Sequence, residues 1–165
     1  MSQRANALAD RLAAGAAALA EFASKLSDKQ WKLPAPPDKR TVGVIVHHVG
    51  NMYPIEVQLA EALAAGTAIT DVTWDAVHKI NADHARDFAQ VDKATALAFL
   101  RTNAAAAATA VRGFSDAQLD RAAPMSRYAG LPPVTAQFFI EDHAMRHSYH
   151  HLAKIRAAVD AAGGA

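Results

Sequence analysis

The stretch DHAMRHSYHHLAKIR, residues 142–156, holds four of the chain's eight histidines in a segment that favours an α-helix. These are His143, His147, His150 and His151. Residues four apart share a helix face with Cβ atoms about 6 Å apart, so His143 with His147, and His147 with His151, are pairs that could each hold a metal ion. Three histidines in one row cannot all reach the same ion. A third ligand must therefore come from another helix.

A second helix-forming stretch, TVGVIVHHVGNMYPIEVQLAEAL at residues 41–63, offers the adjacent histidines His47 and His48. Adjacent side chains on a helix point about 100° apart. The apolar positions predict that His48 faces the core and that His47 points off that line. The residues in register with His48 are Ile45, Met52, Ile55 and Leu59. A buried imidazole without a partner costs on the order of 1–3 kcal/mol, and metal coordination would remove that cost.

Other interpretations of the histidines remain open at this point. A lone histidine on an apolar helix face is more often a core residue hydrogen-bonded to a neighbour than a metal ligand. His84 fits this description, and we interpret it as a polar core neighbour rather than as support for a metal site. His78, three residues after Asp75, suggests a di-iron carboxylate bundle, but such bundles need Glu-x-x-His motifs and the sequence contains none. We therefore exclude a ferritin-like site.

Hydrophobic periodicity predicts an all-α fold, a four-helix bundle with an extra helical piece. Leucines of the first segment recur at helical spacing, and Gly15 fills the slot between Leu12 and Leu19. Threonines at 41 and 73 are plausible N-caps. The predicted helices run from the N-terminus to about Ser27–Asp28, from Val42 to Ala65 with Gly66 closing it, over residues 74–90, from Lys93 to Arg112, and from Val134 to Val159. Between Arg112 and Val134 we expect a long irregular loop with one short turn.

Composition excludes several classes of protein. The 165 residues are long enough for one domain with its own core, which we place at 1–165. Charged residues make up 20%, are interspersed, and sum to a net charge of +1, so no nucleic-acid or membrane partner is expected. The absence of cysteine leaves only nitrogen and oxygen as metal ligands. The N-terminal segment has charges where a signal peptide needs an apolar run, so we expect a cytoplasmic protein.

Two motifs resemble the DinB-like superfamily. The run Thr41–His48 resembles that family's second-helix motif, in which a Ser or Thr followed by an aliphatic residue opens the helix and a metal-binding histidine comes seven residues later. The closing helix of the family carries a histidine, another histidine four residues later, and commonly Arg-Gly-Gln-Ile. Here His147 and His151 match the histidines, and the chain departs from the pattern at residues 152–154, which are Leu, Ala and Lys. The resemblance thus implies His48, His147 and His151 as the metal ligands.

The resemblance also implies a fold and a set of activities. The fold is an up-down-down-up bundle with a long crossover between helices 2 and 3, after Gly66. We expect the first two long helices to form one antiparallel pair and the later helices another. Characterised members of the family include thiol-dependent transferases and isomerases that use a low-molecular-weight thiol, alongside metal-dependent hydrolases. Related members often pair, so we expect a homodimer.

A three-histidine site has one further chemical consequence. Three neutral imidazoles leave an open position on a divalent ion, as in catalytic rather than closed structural sites. An all-nitrogen site suits zinc or nickel better than magnesium or calcium. The three histidines therefore indicate a metal-dependent enzyme acting on a small molecule, and the resemblance implies that it is either thiol-dependent or hydrolytic. The alternative is a non-enzymatic binding or dimerisation module with a structural histidine network.

Overall fold

Four long helices form a bundle in the computed structural model, which describes residues 2–37 and 39–163. Together with the smaller elements they make a mostly helical chain, as the periodicity predicts. The long helices are α1 (Gln3–Ser24), α3 (Val42–Ala64), α5 (Lys93–Arg112) and α8 (Arg146–Ala161). The shorter ones are α2 (Asp28–Trp31), α4 (Trp74–Asp87), α6 (Asp116–Asp120) and α7 (Ala136–Phe139). A 3-10 turn (Ser126–Tyr128), a π-helical segment (Ile140–Met145) and the antiparallel strands β1 (Ala122–Ala123) and β2 (Val134–Thr135) complete the list.

Local capping signals explain where the helices begin and end. The predicted caps are both present, since Thr41 Oγ1 accepts a hydrogen bond from the amide of Val44 and Thr73 Oγ1 accepts one from Ala76. Gly66 follows α3 with φ +80°, a conformation that favours glycine. The first helix ends at Ser24 rather than near Ser27, because Ser27 instead caps the separate helix α2 in a capping box.

The long helices have different packing neighbours from those predicted. The two N-terminal helices, α1 and α3, each pack mainly against α5 and α8 and barely touch one another. The prediction that the first two long helices form a pair is therefore wrong. One reason is Gly50 of α3, where a Cβ atom would lie only 3.0 Å from the backbone of Leu100, so that glycine lets α5 settle closely against α3.

Contacts between side chains give the directions of the helices. Along α1 and α8, Gly15 lies against Tyr149 and Phe22 lies near Arg156, so these two helices run parallel. Along α3 and α8 the order is reversed, because His48 lies beside His151 while the later residue Tyr53 bonds to Ser148. These directions are compatible with the up-down-down-up order that the family resemblance implies.

The helix α4 lies outside the main bundle. It packs at the edge of α3 and does not form a pair with α5 or α8. The prediction that the later helices pair with one another is therefore wrong for α4. Only His84 of its fourteen residues is buried. Helical spacing puts Trp74 and Phe88 on the same side of this helix as His84, yet Trp74 is 53% exposed and Phe88 is 37% exposed. Trp74 lines a pocket rather than the core.

The C-terminal helical region is interrupted, whereas the sequence predicted one helix from Val134 to Val159. Val134 and Thr135 pair with β1, and Thr135 then caps α7 by accepting a hydrogen bond from Phe138. The π-helical segment separates α7 from α8. The preceding loop, predicted to hold one short turn, contains both α6 and the 3-10 turn.

No helix among the described residues combines the length and the apolar character that crossing a membrane requires. The cytoplasmic location and the homodimer stay predictions.

Candidate metal centre

The start of α3 is held firmly in place, and this positions both of its histidines. The Trp31 ring lies so close to Gly43 that a Cβ there would come within 2.5 Å of it. Every residue from Val42 to Gly50 is buried, and His47 and His48 are each only 3% exposed. The prediction that only His48 faces inward is therefore wrong. The reason is that α3 is covered on two sides, by α8 next to His48 and by α4 and α5 next to His47.

The apolar line that was expected to bury His48 does not continue along α3. Ile45 is buried, but Met52, Ile55 and Leu59 are only half-buried. Met52 and His48 both line an open pocket. His48 therefore lies at the border between the core and the pocket, where its ring can be reached from outside.

The three predicted ligands converge at this border. The Nε2 atoms of His48 and His147 are 3.2 Å apart, and one ligand atom from each of His48, His147 and His151 lies within 4.8 Å of the others. Two nitrogens bound at the usual 2.0–2.1 Å to one tetrahedral zinc are themselves about 3.3 Å apart. The spacing of the His48 and His147 nitrogens thus fits a shared ion, while His151 would move slightly inward.

A carboxylate supports this cluster from behind. Glu56 is 4% exposed, and its Oε1 accepts a hydrogen bond from Nδ1 of His147 at 2.6 Å. This bond places the proton of His147 on Nδ1 and leaves the Nε2 lone pair facing His48. The sequence analysis missed Glu56. The available signal was a lone carboxylate in the otherwise uncharged run 42–60 of a buried helix.

Burial keeps the cluster in the protonation state that a metal requires. Burial, followed by the charges of His147 and Arg40, holds the pKa of His48 well below its usual value. The same causes lower the pKa of His151 to about 2. Within residues 2–37 and 39–163, the buried Nδ1 atoms of His48 and His151 have no hydrogen-bond partner. Neutral imidazoles with unused nitrogens are suited to binding a divalent ion.

The other two buried histidines form a separate pair next to the cluster. Nδ1 of His47 and Nε2 of His84 are 2.9 Å apart, and the His47 ring stacks between Phe88 and Phe99. His84 approaches His48 only with its ring edge. Its hydrogen bond goes to His47, as expected of a polar core residue.

His143 is turned away from the cluster by the π-helical segment. A π turn holds more residues than an α turn, so His143 does not stack above His147 as an uninterrupted α-helix would require. Instead, its Nε2 lies 2.9 Å from the hydroxyl of Tyr128, which in turn donates to Asp142. His150, which the family motif does not select, is exposed.

A pocket of about 850 Å³ opens over the cluster. This volume is typical of sites for small molecules. Its walls come from α3, α4, α8 and the π-helical segment, and include all three histidines of the cluster. Four cationic side chains line it, namely Arg40, Arg127, Arg146 and Lys154. The cluster is therefore reachable by a small molecule.

Comparison with known proteins agrees with this architecture. YfiT from Bacillus subtilis, described as "a probable metal-dependent hydrolase with an unusual four-helix bundle topology", has a similar structure, with a TM-score of 0.76 and 18% sequence identity over 100% of this chain and 91% of that one. No curated protein matches the chain. The model of the DinB superfamily matches residues 11–155, most of the chain. This protein belongs to the DinB superfamily.

Proposed function

We propose that this chain is a divalent-metal-dependent enzyme that acts on a small molecule, with His48, His147 and His151 as the ligands. The observation that carries the proposal is the convergence of three imidazoles, one of them backed by Glu56, at the floor of an open pocket. A structural site would be closed by a fourth side chain. Zinc or nickel suits these nitrogen ligands.

The residues of the cluster have distinct roles in this proposal. Glu56 holds the tautomer and orientation of His147. The bond between Tyr53 and Ser148 fixes α3 against α8, and so fixes the distance between His48 and His147. A divalent ion held by these three histidines would lower the pKa of a bound water or thiol and so would supply a nucleophile at neutral pH. The fourth coordination position of the ion, which would face the pocket, would be left for the reacting molecule.

Between the two reactions that the family offers, we favour thiol-dependent transfer over hydrolysis. Activation of water profits from a carboxylate that is free to take a proton. Of the carboxylates lining the pocket, Glu56 holds His147 through Oε1, which leaves only its buried Oε2 without a partner among the described residues. Asp142 is bonded to Tyr128 and Arg146. A metal ion would ionise a thiol more readily than a water, because a free thiol has a pKa of about 8.5 and bulk water one of about 15.7, so the thiol reaction depends less on such a base. The pocket also has room for a thiol and a second substrate.

Metal analysis tests the first part of the proposal. Protein purified without a nickel column should contain close to one zinc, nickel or other transition-metal ion per chain, and chelation should lower its melting temperature. Protein without metal whose melting temperature does not respond to added metal would instead support the non-enzymatic module with a histidine network.

Cobalt substitution tests the second part. A simple thiol such as 2-mercaptoethanol should produce a thiolate-to-cobalt charge-transfer band in the Co²⁺-loaded protein. An assay panel of electrophilic substrates and esters, run with and without thiol, should then show turnover that depends on the thiol. Turnover of esters at the same rate without thiol would favour hydrolysis.

A further inference from the structure

Within the proposed function, on which this inference rests, an exposed aromatic side chain at one end of the pocket indicates what kind of small molecule reacts there. Among the described residues 74–88, three large apolar side chains are exposed, namely Trp74, Ile80 and Phe88. Of these three, Trp74 is the one that lines the pocket. An indole that lies open inside a pocket is a typical contact for a ligand.

Trp74 lies far from the three histidines along the pocket. It precedes His84 by ten residues of α4, which corresponds to about 15 Å along the helix axis. The ring of His84 in turn lies 5.4 Å from the ring of His48. The pocket therefore extends from the histidines at one end to Trp74 at the other, and Val77 and Asn81 of α4 line the wall between them.

The Trp74 ring is held in position by a neighbouring segment of the chain. The guanidinium carbon of Arg127 lies 4.3 Å from the centre of the ring, a distance typical of a cation–π stack. Ser126, the residue before Arg127, is bonded to the segment that leads into α4. Its amide donates to the carbonyl of Ile69 and its hydroxyl donates to the carbonyl of Val72. Trp74 is therefore a fixed surface of the pocket.

The stack also determines which part of the indole a ligand can reach. Arg127 lies over one face of the ring, yet Trp74 remains 53% exposed, so the opposite face and the ring edge are left open. The imidazole of His78, one turn later on α4, lies beside the indole and also lines the pocket. An aromatic ring of a ligand would gain from burial here and also from ring stacking, which a saturated ring of the same size cannot provide.

We propose that the pocket binds an elongated small molecule whose reacting atom lies over the three histidines and whose aromatic end group packs on Trp74. The two ends of such a molecule are about 15 Å apart. An extended covalent chain advances by roughly 1.2 Å per bond, so the spacer between the two ends holds about ten to twelve bonds. A shorter ligand reaches the ion without contacting Trp74.

Four thiols test this proposal in the Co²⁺-loaded protein, where the thiolate-to-cobalt charge-transfer band gives each dissociation constant. The long pair carries a phenyl or a cyclohexyl ring at the end of the same tri(ethylene glycol) spacer. The short pair carries the same rings one carbon from the sulfur. We expect the long phenyl thiol to bind about two- to tenfold more tightly than the long cyclohexyl thiol, which is the size of effect that ring stacking produces.

Two variants separate stacking on Trp74 from the intrinsic properties of the thiols. Trp74→Leu keeps an apolar side chain but removes the ring, so the two long thiols should bind with nearly equal affinity. Cobalt affinity and the affinity ratio of the short pair should stay as in the wild type. The matched control is Ile80→Ala on the same helix, an exposed apolar position outside the pocket lining, which should leave both ratios unaltered.

Tryptophan fluorescence gives a second readout that does not depend on activity. The chain has two tryptophans, and Trp31 is 6% exposed with its Nε1 donating to the carbonyl of Val91. Acrylamide should therefore quench mainly Trp74. In the Zn²⁺-loaded protein, the long phenyl thiol should protect this fluorescence from acrylamide, and the short phenyl thiol should not.

The outcomes distinguish the two proposals. Failure of cobalt to bind at all overturns the metal-dependent function, and with it the placement of the reacting atom over the histidines. Normal cobalt and thiol binding with equal affinities for the long pair, an unchanged ratio in Trp74→Leu, or binding of the long phenyl thiol without protection of Trp74 overturns the aromatic contact and leaves the metal-dependent function standing.

Discussion

Two groups of histidines meet on either side of α3, one with His48 and the other with His47, and they differ in their partners and in their access to solvent. The proposed metal cluster consists of His48, His147 and His151, and the stacked pair consists of His47 and His84. The cluster has three ring nitrogens converging, a carboxylate behind one of them, and a pocket in front. The stacked pair has one hydrogen bond between its members and aromatic rings against its faces.

The comparison shows that burial alone does not mark a histidine as a metal ligand. His47 and His48 have the same exposed fraction and adjacent positions, yet they meet different partners. His48 converges with ring nitrogens of two histidines of α8, whereas His47 meets a single ring nitrogen, that of His84 in α4. In the stacked pair, one hydrogen bond joins the two imidazoles, and Nδ1 of His84 has no partner. Among the described residues no third ligand group converges with the pair, so a metal would gain little there. A supporting carboxylate and access from solvent are the features that separate the two groups.

The largest loss of metal affinity is expected when one histidine of the proposed metal cluster is replaced. His147→Ala deletes both a ligand and the partner of Glu56, which would leave a buried carboxylate without its donor. Metal affinity, measured by competition with a chromophoric chelator, should fall well beyond the roughly 100-fold that loss of an outer hydrogen bond causes. His48→Ala and His151→Ala should behave similarly. Retention of affinity in any of the three would remove that residue from the cluster.

A smaller loss of metal affinity is expected when only the hydrogen bond between His147 and Glu56 is weakened. Glu56→Gln keeps the size of the side chain but removes its charge, so His147 becomes a weaker ligand. We expect metal affinity to fall about 10- to 100-fold. The matched control is Glu61→Gln, an exposed position on the same helix, which should have no effect. Equal affinities of Glu56→Gln and wild type would mean that the cluster does not depend on Glu56.

The pH dependence of stability should show that His143 is buried in its neutral form. Burial is the main cause that lowers its pKa to about 4, whereas an unfolded histidine has a value of about 6.5. Between these values the unfolded chain binds a proton that the folded chain does not, so stability falls as pH decreases from 6.5 to 4. In urea unfolding of the metal-free protein, His143→Gln should lose less stability over this range than the wild type, by on the order of 1–2 kcal/mol.

The same variant checks the position of the π-helical segment. His143→Gln should bind metal at pH 7 as tightly as the wild type. Loss of metal in His143→Gln, combined with retention in His151→Ala, would mean that His143 and His147 are the pair on the C-terminal helix.

The smallest effect on metal affinity is expected when a histidine of the stacked pair is replaced. His47→Ala should lower stability by roughly 1–3 kcal/mol, because the buried Nε2 of His84 loses its partner. Metal affinity should stay within a few-fold of the wild type, as it should in the exposed control His150→Ala. A loss of affinity in His47→Ala comparable with that in His48→Ala would show that the two histidine groups act as one.

The helical spacing of apolar residues predicts which faces of the long helices α1 and α5 are buried. The inner line of α5, from Leu97 through Leu100, Ala104 and Ala107 to Val111, is buried throughout, and Gly15 occupies the predicted slot in the buried face of α1. These stripes are local properties of the sequence, since each helix buries one face. The convergence of His48, His147 and His151 follows from the same spacing combined with the family motif.

What the sequence could not predict depends on contacts between distant segments. The burial of His47 requires α4 and α5 to cover a second side of α3, and the role of Glu56 requires α8 to lie within hydrogen-bond distance. The π-helical segment is a wider turn in a run that has ordinary helical periodicity, so nothing in the spacing of Ile140–Met145 marks it. The close approach of α5 to α3 at Gly50 is likewise a contact between segments that are distant in the sequence.

The pairing of His48 with His147 joins positions 99 residues apart in a chain that contains no cysteine. An ion held between them would act as a removable cross-link. In the chain-entropy description, tying together two points about 100 residues apart stabilises a folded chain by roughly 4–5 kcal/mol when the link is permanent. Here the link would last only as long as the ion stays bound. The supply of metal would then set how quickly the folded chain is lost to proteolysis, in addition to its activity.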